Sequence, residues 1–532
     1  MTMTKTSASH ILLTGATGLL GRSLLRDLSA AGLRVAVIVR GSKTATAADR
    51  VDELLDDWRE VAGAEVACPV VLAGDLSLPG LGLPAEQRAW IARNVREVIH
   101  SAASLSFQLR EADGEPYTSN VTGTRHVLAL CRETGIRRLH HVSSAYVCGL
   151  REGRILETEL DVGQTPGNDY ERSKIVSEGE ARAADGIDVC TVHRPSIIVG
   201  DLVHGFTNTF HGFYKPLRIV QPFVEAFVGA ELPAGSLLDV LGMTGRECKN
   251  LVPVDWVSAA MTRIILDESL HGRTYHLTSA APTSVGTLCR VFEGLVVEMA
   301  ADLRRQRETH AAAGKPRPTA GFDPTTLGRL FVDQMHVYKA YWRDDPTFDA
   351  THTARAVGDL PAPALDEESI RRLCRFAIDA NFRWPPAGRP ARRGTARGTL
   401  ETVLGPATWT SPRGDAVVGL AATGAGGGQW TLAVVDGRPT TLHVGLPPRP
   451  APVVHVRAAT LQGLLASVET AAALVARGGA AIVAADTAGM RLATDALTAL
   501  EQAPASSVGS RAAVERWEPA GSAKRDIEES IS

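Results

Sequence analysis

Short runs of β-branched and apolar residues alternate with longer amphipathic stretches over roughly the first half of the chain. The runs with the length of buried strands are His10–Thr14, Arg34–Val39, Val70–Leu72, Glu97–His100, Arg138–Ser143 and Asp188–His193. Helical patterns lie between them, for example Leu20–Ala31 and Thr118–Thr134. Strands that alternate with helices form βαβ units, so this pattern predicts a Rossmann-type, doubly wound parallel sheet with helices on both faces.

The pattern changes further along the chain. A helix over Val254–Leu266 and a strand over Thr274–Thr278 are followed by a mainly helical region, 285–382. We therefore predict one domain over 1–382, with its substrate region at about 201–250 and 285–382. Residues 383–398 are dense in Pro, Gly and Arg, which is the composition of a linker.

Residues 399–505 are predicted to form a second, α+β domain. Its strand-like and helical runs are Ala416–Leu420, Gln429–Val435, Thr440–Val444, Val453–Val456, Thr460–Ser467, Gly478–Val483 and Met490–Leu500. The polar residues 506–532 are expected to be disordered, because they offer little apolar surface to bury.

Composition narrows the function classes. The net charge of −3 argues against a nucleic-acid-binding protein, which needs a basic surface. The seven cysteines are scattered singly, without the spacing of metal ligands, and this suits a reducing, cytoplasmic compartment. No apolar run reaches the roughly 18–20 residues of a membrane-spanning helix, so no integral membrane segment is expected.

A glycine motif directly follows the first predicted strand and opens a helix. Its residues are Gly15, Ala16, Thr17, Gly18, Leu19, Leu20, Gly21 and Arg22. Glycines at such spacing permit a tight turn, a close approach of the backbone to a pyrophosphate, and close packing of helix on strand. The motif predicts a dinucleotide site.

The end of the second strand indicates which dinucleotide is bound. An NAD enzyme places Asp or Glu there, on the ribose hydroxyls, whereas this strand ends in Arg40. A guanidinium binds a 2′-phosphate through two hydrogen bonds and a carboxylate would repel it. NADPH is therefore the predicted cofactor.

Ser144, Tyr170 and Lys174 form the candidate catalytic set. Tyr170 and Lys174 are four residues apart, so on a helix they share one face. An ammonium beside a phenol is expected to lower the pKa of the tyrosine from about 10, making it an acid or base at working pH. Ser144 follows a strand and is placed to hydrogen-bond a substrate oxygen.

Residues 9 to about 280 resemble the extended short-chain dehydrogenases/reductases, in particular the branch of fatty acyl-CoA reductases and thioester reductases. The resemblance rests on the glycine motif, the serine–tyrosine–lysine set and the segments Gly74–Ser77, His100–Phe107, Asn120–Thr124 and His141–Val147. It implies that the cofactor contacts include Asp75, Leu76, Ala102, Ala103, Asn120, Pro195 and Ser196, besides Tyr170 and Lys174.

The same resemblance implies the reaction. An acyl thioester of CoA or an acyl carrier protein would be reduced by NADPH to an aldehyde or alcohol, with no metal and no covalent cysteine. Residues 399–505 resemble a sterol-carrier-protein domain, which implies a lipid ligand there.

Two alternatives stay open, because the same catalytic set serves several reactions. One is an NAD(P)-dependent dehydrogenase or epimerase of a steroid or a nucleotide sugar. The other is a non-catalytic, NADPH-binding lipid carrier, although a pure binding protein has no need for Ser144, Tyr170 and Lys174 together.

Overall fold

The computed structural model describes most of the first domain and the framework of the second. The described residues are 9–43, 45–63, 66–109, 114–227, 236–311, 331–385, 416–423, 428–435, 438–444, 451–457, 461, 471, 480–484 and 487–501. The predicted tail, nearly all of the predicted linker and most of the helix predicted at 460–467 lie outside these residues.

A seven-stranded parallel sheet forms the centre of the first domain, and it confirms the predicted Rossmann-type fold. The strands are β1 His10–Thr14, β2 Arg34–Val39, β3 Val70–Ala73, β4 Val95–His100, β5 Arg138–Val142, β7 Val189–Pro195 and β11 Thr274–Leu277. Their spatial order is β3-β2-β1-β4-β5-β7-β11. The order reverses between β1 and β4, which is where open α/β sheets bind ligands.

Helices cover both faces of this sheet. They are α1 Leu19–Ala30, α2 Ala47–Ala62, α3 Ala85–Asn94, α4 Gly123–Thr134, α5 Asp169–Arg182 and α8 Val254–Leu266. One apolar cluster joins α1, α2 and α8 to one face, and another joins α3 and α4 to the other. The helix predicted from Thr118 instead begins with a wide π-type turn over Thr118–Thr122, which brings Asn120 into the interior.

A smaller helical region lies beside the carboxyl edge of the sheet. Its helices are α6 Lys215–Val220, α7 Ser236–Leu241, α9 Val285–Ala311 and α11 Glu367–Asp379, whereas α10 Thr351–Val357 packs against α8 and β11 in the sheet domain. Short strand pairs connect it to the sheet domain: β10 Leu251–Pro253 with β8 Ile197–Val199, β12 Thr283–Ser284 with β9 Cys248–Lys249, and β13 Thr347–Phe348 with β6 Arg154–Ile155. Its own core is rich in aromatic side chains.

The described residues of the predicted second domain form a five-stranded sheet and a helix. The elements are β14 Ala416–Thr423, β15 Gly428–Val435, β16 Arg438–Val444, β17 Val453–Arg457, β18 Ala480–Val483 and α12 Thr487–Glu501. The order is β16-β15-β14-β17-β18, and the β14–β17 pair is parallel while the other pairs are antiparallel. Val418 and Leu432 on the sheet and Leu497 on the helix share one buried apolar cluster.

Candidate active site

The glycine turn lies where β1 and β4 separate. Gly15 has φ +76°, a left-handed conformation that favours glycine. A Cβ at Gly15 would lie 2.6 Å from the backbone nitrogen of Ala102, and one at Gly21 would lie 2.0 Å from the carbonyl oxygen of Gly15. Both positions therefore need glycine for close backbone packing.

The residues of this turn fit a dinucleotide. Helix α1 starts after Gly18, and within the described part of the chain no side chain caps its first turn. The unsatisfied N–H groups and the positive end of the helix dipole favour a pyrophosphate at that point. Gly15, Gly18, Leu19, Leu20 and Gly21 also line the large cavity described below.

The structure brings Ser144, Tyr170 and Lys174 together in that cavity. Ser144 follows β5, while Tyr170 and Lys174 stand on successive turns of α5, and all three line one cavity. Ser144 and Lys174 are buried, and Tyr170 is half-buried. Asn168 caps the helix by accepting a hydrogen bond from the backbone N–H of Glu171 at 2.9 Å, which fixes the first turn that carries Tyr170.

The pKa of Tyr170 is shifted in the direction opposite to the one predicted from the sequence. Burial raises the pKa of Tyr170 to about 12, and a hydrogen bond with Ser144 lowers it by less than burial raises it. Burial also lowers the pKa of Lys174 to about 8, and its Nζ donates to the carbonyl oxygen of Val142 at 2.9 Å. The predicted lowering of the tyrosine pKa was wrong for this protein, because loss of solvent outweighs the neighbouring groups. Tyr170 therefore holds its proton at neutral pH.

The cavity has a volume of about 580 Å³ and extends from the glycine turn into the helical region. Pro195, Ser196 and Ala103 line it near the catalytic set. The helical region contributes a mainly apolar wall: Phe213, Leu237, Leu241, Met243, Leu288, Phe292, Phe331 and Met335. Catalytic side chains at one end and an apolar wall at the other suit a substrate with a polar reacting group and a long apolar body.

Aromatic rings pack around Tyr170. The ring centroids of Phe107 and Tyr170 are 5.8 Å apart, and those of Phe107 and Tyr341 are 5.5 Å apart. The Tyr341 hydroxyl accepts a hydrogen bond from Nδ2 of Asn168 at 3.0 Å, so the cap of α5 also holds the helical region over the site. Tyr341 was not predicted, because no local pattern in the sequence connects residue 341 with residue 168.

A second missed residue, Arg50, lies on the first turn of α2 beside the predicted 2′-phosphate site. Its guanidinium donates to the hydroxyl of Thr17 at 3.3 Å and to the carbonyl oxygen of Arg40. The Arg40 side chain is 71% exposed, and its Nη1 lies 3.5 Å from Asp75 Oδ2. Two guanidinium groups thus lie at the end of β2. The capping sequence from Thr46 to Asp49 marks the start of the helix that carries Arg50 and could have directed attention to it.

Other predicted contacts lie outside the cavity. The Arg22 guanidinium is buried 3.1 Å from Asp57 Oδ2. Asn120 donates from Nδ2 to the Ser173 hydroxyl at 2.9 Å and accepts at Oδ1 from the backbone N–H of Ser104 at 2.7 Å, so it ties the Ser101–Phe107 loop to α5. Leu76 packs beside the start of α4, against Gly123.

Comparison with known proteins gives the family context of this site. Residues 13–261 match the family model described as male sterility protein, an NAD-binding domain. This match covers both the glycine turn and the serine–tyrosine–lysine set. The terminal R domain of the myxalamid PKS-NRPS biosynthetic pathway has a similar structure, with a TM-score of 0.53 at 22% identity over 71% of this chain and 93% of that domain.

Curated relatives fall into different activity classes. Fatty acyl-CoA reductase wat of Drosophila melanogaster is 27% identical over 248 residues, which cover 40% of this chain and 47% of that protein. Sterol demethylase protein B of Methylococcus capsulatus is 32% identical over 195 residues, covering 36% and 51%. Isonitrile lipopeptide synthase of Streptomyces coeruleorubidus is 29% identical over 266 residues, covering 49% and 17%. The chain thus spans about half, or less, of the length of these relatives.

Together these matches support a Rossmann-type fold with a nicotinamide-binding domain. The site agrees with this, because the glycine turn and the catalytic set adjoin one cavity. Among the described helices, none has both the length and the apolar character needed to cross a bilayer.

Proposed function

We propose that this protein is an NADPH-dependent reductase of acyl thioesters, on CoA or a carrier protein, with an aldehyde or alcohol as product. The observation that carries the proposal is the placement of Ser144, Tyr170 and Lys174 beside a glycine turn at one end of an apolar cavity. The bound nicotinamide would supply hydride to the thioester carbonyl. The chain's own residues would orient that carbonyl, exclude water and provide the proton. The resulting hemithioacetal would then lose its C–S bond, releasing the thiol of CoA or the carrier protein and leaving the aldehyde.

Each catalytic side chain has a distinct task in this proposal. Ser144 donates a hydrogen bond to the carbonyl oxygen and keeps it within reach of Tyr170. Tyr170, whose pKa is raised to about 12, enters the reaction protonated and gives its proton to the oxygen as negative charge develops there. A tyrosine that keeps its proton suits reduction, since oxidation of an alcohol needs a base instead.

Cations beside the cavity suit a thioester carrier that bears phosphate. His211 and Pro216 line the cavity, and Lys215 and Arg218 lie close enough to His211 for their charges to lower its pKa together with burial. These cations are complementary to the phosphates of CoA and of a phosphopantetheine arm.

A steroid dehydrogenase is the second candidate, and the likeness to a sterol demethylase protein favours it over a sugar-nucleotide epimerase. For residues 399–505, a sterol-carrier-like lipid site stays a prediction, supported by the sheet and helix that share one apolar cluster. A non-catalytic lipid carrier is a weaker candidate, because such a protein has no need for Ser144, Tyr170 and Lys174 in one cavity.

The first test compares substrates directly. With NADPH and a long-chain acyl-CoA, we expect loss of absorbance at the NADPH band and formation of an aldehyde or alcohol, identified by mass spectrometry. A 3-hydroxysteroid with NADP⁺, assayed in parallel, should give no turnover. Turnover of the steroid without turnover of several acyl thioesters would reject the proposal in favour of the second candidate.

The cofactor assignment predicts the effect of Arg40→Ala and Arg50→Ala. Each variant loses a guanidinium proposed to bind the 2′-phosphate, and such a bond is worth about 1.5–3 kcal/mol. The ratio of kcat/KM for NADPH to that for NADH should fall about 10- to 100-fold.

Arg59→Ala is the matched control, because Arg59 lies on the same helix but pairs with Asp56 at 3.0 Å. Its cofactor preference should equal that of the wild type. Equal use of NADPH and NADH by the wild type would refute the NADPH assignment.

A further inference from the structure

Three side chains that the proposed reaction does not use converge on the face of the main sheet that α8 covers. They are Glu97 on β4, His140 on β5 and His271 in the loop between α8 and β11. One donor atom from each lies within 4.8 Å of the other two. His140 and His141 are neighbours on one strand, so they point to opposite faces, and it is His141 that lies near Lys174. The cluster is therefore separated from the catalytic set by the sheet.

A hydrogen bond holds one ring nitrogen of each histidine in this cluster. His140 Nδ1 lies 3.2 Å from His193 Nε2, which leaves His140 Nε2 on the side of Glu97. His271 Nε2 lies 3.1 Å from the carbonyl oxygen of Ile264. A carbonyl oxygen accepts only, so this nitrogen carries the hydrogen and the lone pair is on Nδ1. Histidines that bind metals are usually held in this way.

The separation between the donor atoms of Glu97 and His140 is longer than a hydrogen bond and close to that of two ligands on one metal ion. Glu97 Oε2 and His140 Nε2 are 3.8 Å apart, which exceeds hydrogen-bond distance. Two ligands of tetrahedral zinc, with bonds of about 2.0–2.1 Å, are about 3.3 Å apart. Both side chains are 1% exposed, so small side-chain shifts toward a shared ion would not open the core.

Of the two carboxylate oxygens of Glu97, Oε2 is the one that lies near His140. Arg96 Nε pairs with the other oxygen, Glu97 Oε1, at 3.0 Å. Arg138, the further nearby cation, pairs with Glu268 at 2.6 Å.

We propose that Glu97, His140 and His271 bind a divalent transition-metal ion, for which Zn²⁺ is the best match. Two imidazole nitrogens and one carboxylate oxygen form a recognised zinc donor set, and the fourth position would be filled by water. The ion would tie β4, β5 and the α8–β11 loop together inside the domain. This site is independent of the proposed reductase activity.

Metal binding by the full-length chain tests this site. After dialysis against a chelator and then against metal-free buffer, the wild type should take up one Zn²⁺ per chain by elemental analysis. Co²⁺ should give visible d–d absorption bands of a tetrahedral site, and either ion should raise Tm.

Variants locate the ion. His271→Ala, at the half-buried member of the cluster, should lose the Co²⁺ bands, and Glu97→Gln, which keeps the side-chain volume, should lose them as well. The control is His204→Ala, which removes a histidine paired with a different carboxylate, Asp201. It should keep both the bands and the metal content.

Two results would contradict the proposed metal site. A wild-type chain that is folded by circular dichroism but takes up no Zn²⁺ and shows no Co²⁺ bands would overturn the proposal. So would bands that are unchanged in both His271→Ala and Glu97→Gln. The three side chains would then be a metal-free buried carboxylate–imidazole cluster.

Discussion

Replacing Tyr170 by phenylalanine is expected to lower kcat about 10²- to 10⁴-fold, the usual contribution of a general acid. The substitution removes one hydroxyl and keeps the ring that packs against Phe107 at 5.8 Å. The cavity and the start of α5 should keep their shape, because Asn168 still caps the helix. Cofactor affinity, measured by fluorescence titration, should therefore stay near that of the wild type while single-turnover reduction becomes slow.

Tyr117→Phe is the matched control for this experiment. Tyr117 lies just before the π-type turn and close to Asp169 and Arg172 of α5, but it is not among the residues that line the cavity. Its variant should have nearly wild-type turnover. A Tyr170→Phe protein that retains more than half of the wild-type kcat would remove Tyr170 from the catalytic role and leave the site without an acid.

Most of the sheet domain was predictable from local pattern. The six strands predicted in its first part all occur, because each is an apolar run flanked by turn residues and matched to a parallel, fully covered sheet. The shortest strands, such as β6 and β13, were not predicted. They are two residues long and form where distant segments meet, so the local sequence carries no signal for them.

The features of the site that were not predicted depend on contacts between residues far apart in the sequence. Tyr341 meets Asn168 only after the helical region folds against α5. Glu97, His140 and His271 come from three separate elements, so no motif spacing marks them. The wrong expectation for the Tyr170 pKa has the same origin, since burial depends on the whole fold while the Tyr–Lys spacing is local.

In the predicted second domain, the sequence pattern predicted the strands but not their order in the sheet. All five of its predicted strands have a counterpart in the structure, including β18 Ala480–Val483. The parallel pairing of β14 with β17 was not predicted. Alternation of apolar residues defines the buried face of each strand, but the choice of neighbouring strand depends on packing across the sheet.

Gly21→Ala is expected to weaken cofactor binding about 10- to 100-fold. The added Cβ would lie 2.0 Å from the carbonyl oxygen of Gly15 and 2.6 Å from its carbonyl carbon. Both atoms are backbone, so no side chain can rotate away, and α1 or the turn itself must shift. Such overpacking costs about 1–3 kcal/mol or more, and each 1.4 kcal/mol taken from binding is about tenfold in Kd.

Gly179→Ala separates this effect from the ordinary cost of changing a helical glycine. At Gly179, within α5, the nearest atom to a new Cβ is Cδ2 of Leu160 at 3.8 Å, an ordinary contact. Alanine favours a helix by about 0.5–1 kcal/mol over glycine, so this variant should have an equal or higher Tm and an unchanged Kd for NADPH. Gly21→Ala, if folded by circular dichroism, should show the raised Kd in a calorimetric titration, independently of turnover. Wild-type affinity in Gly21→Ala would mean that the pyrophosphate does not bind at the turn between β1 and α1.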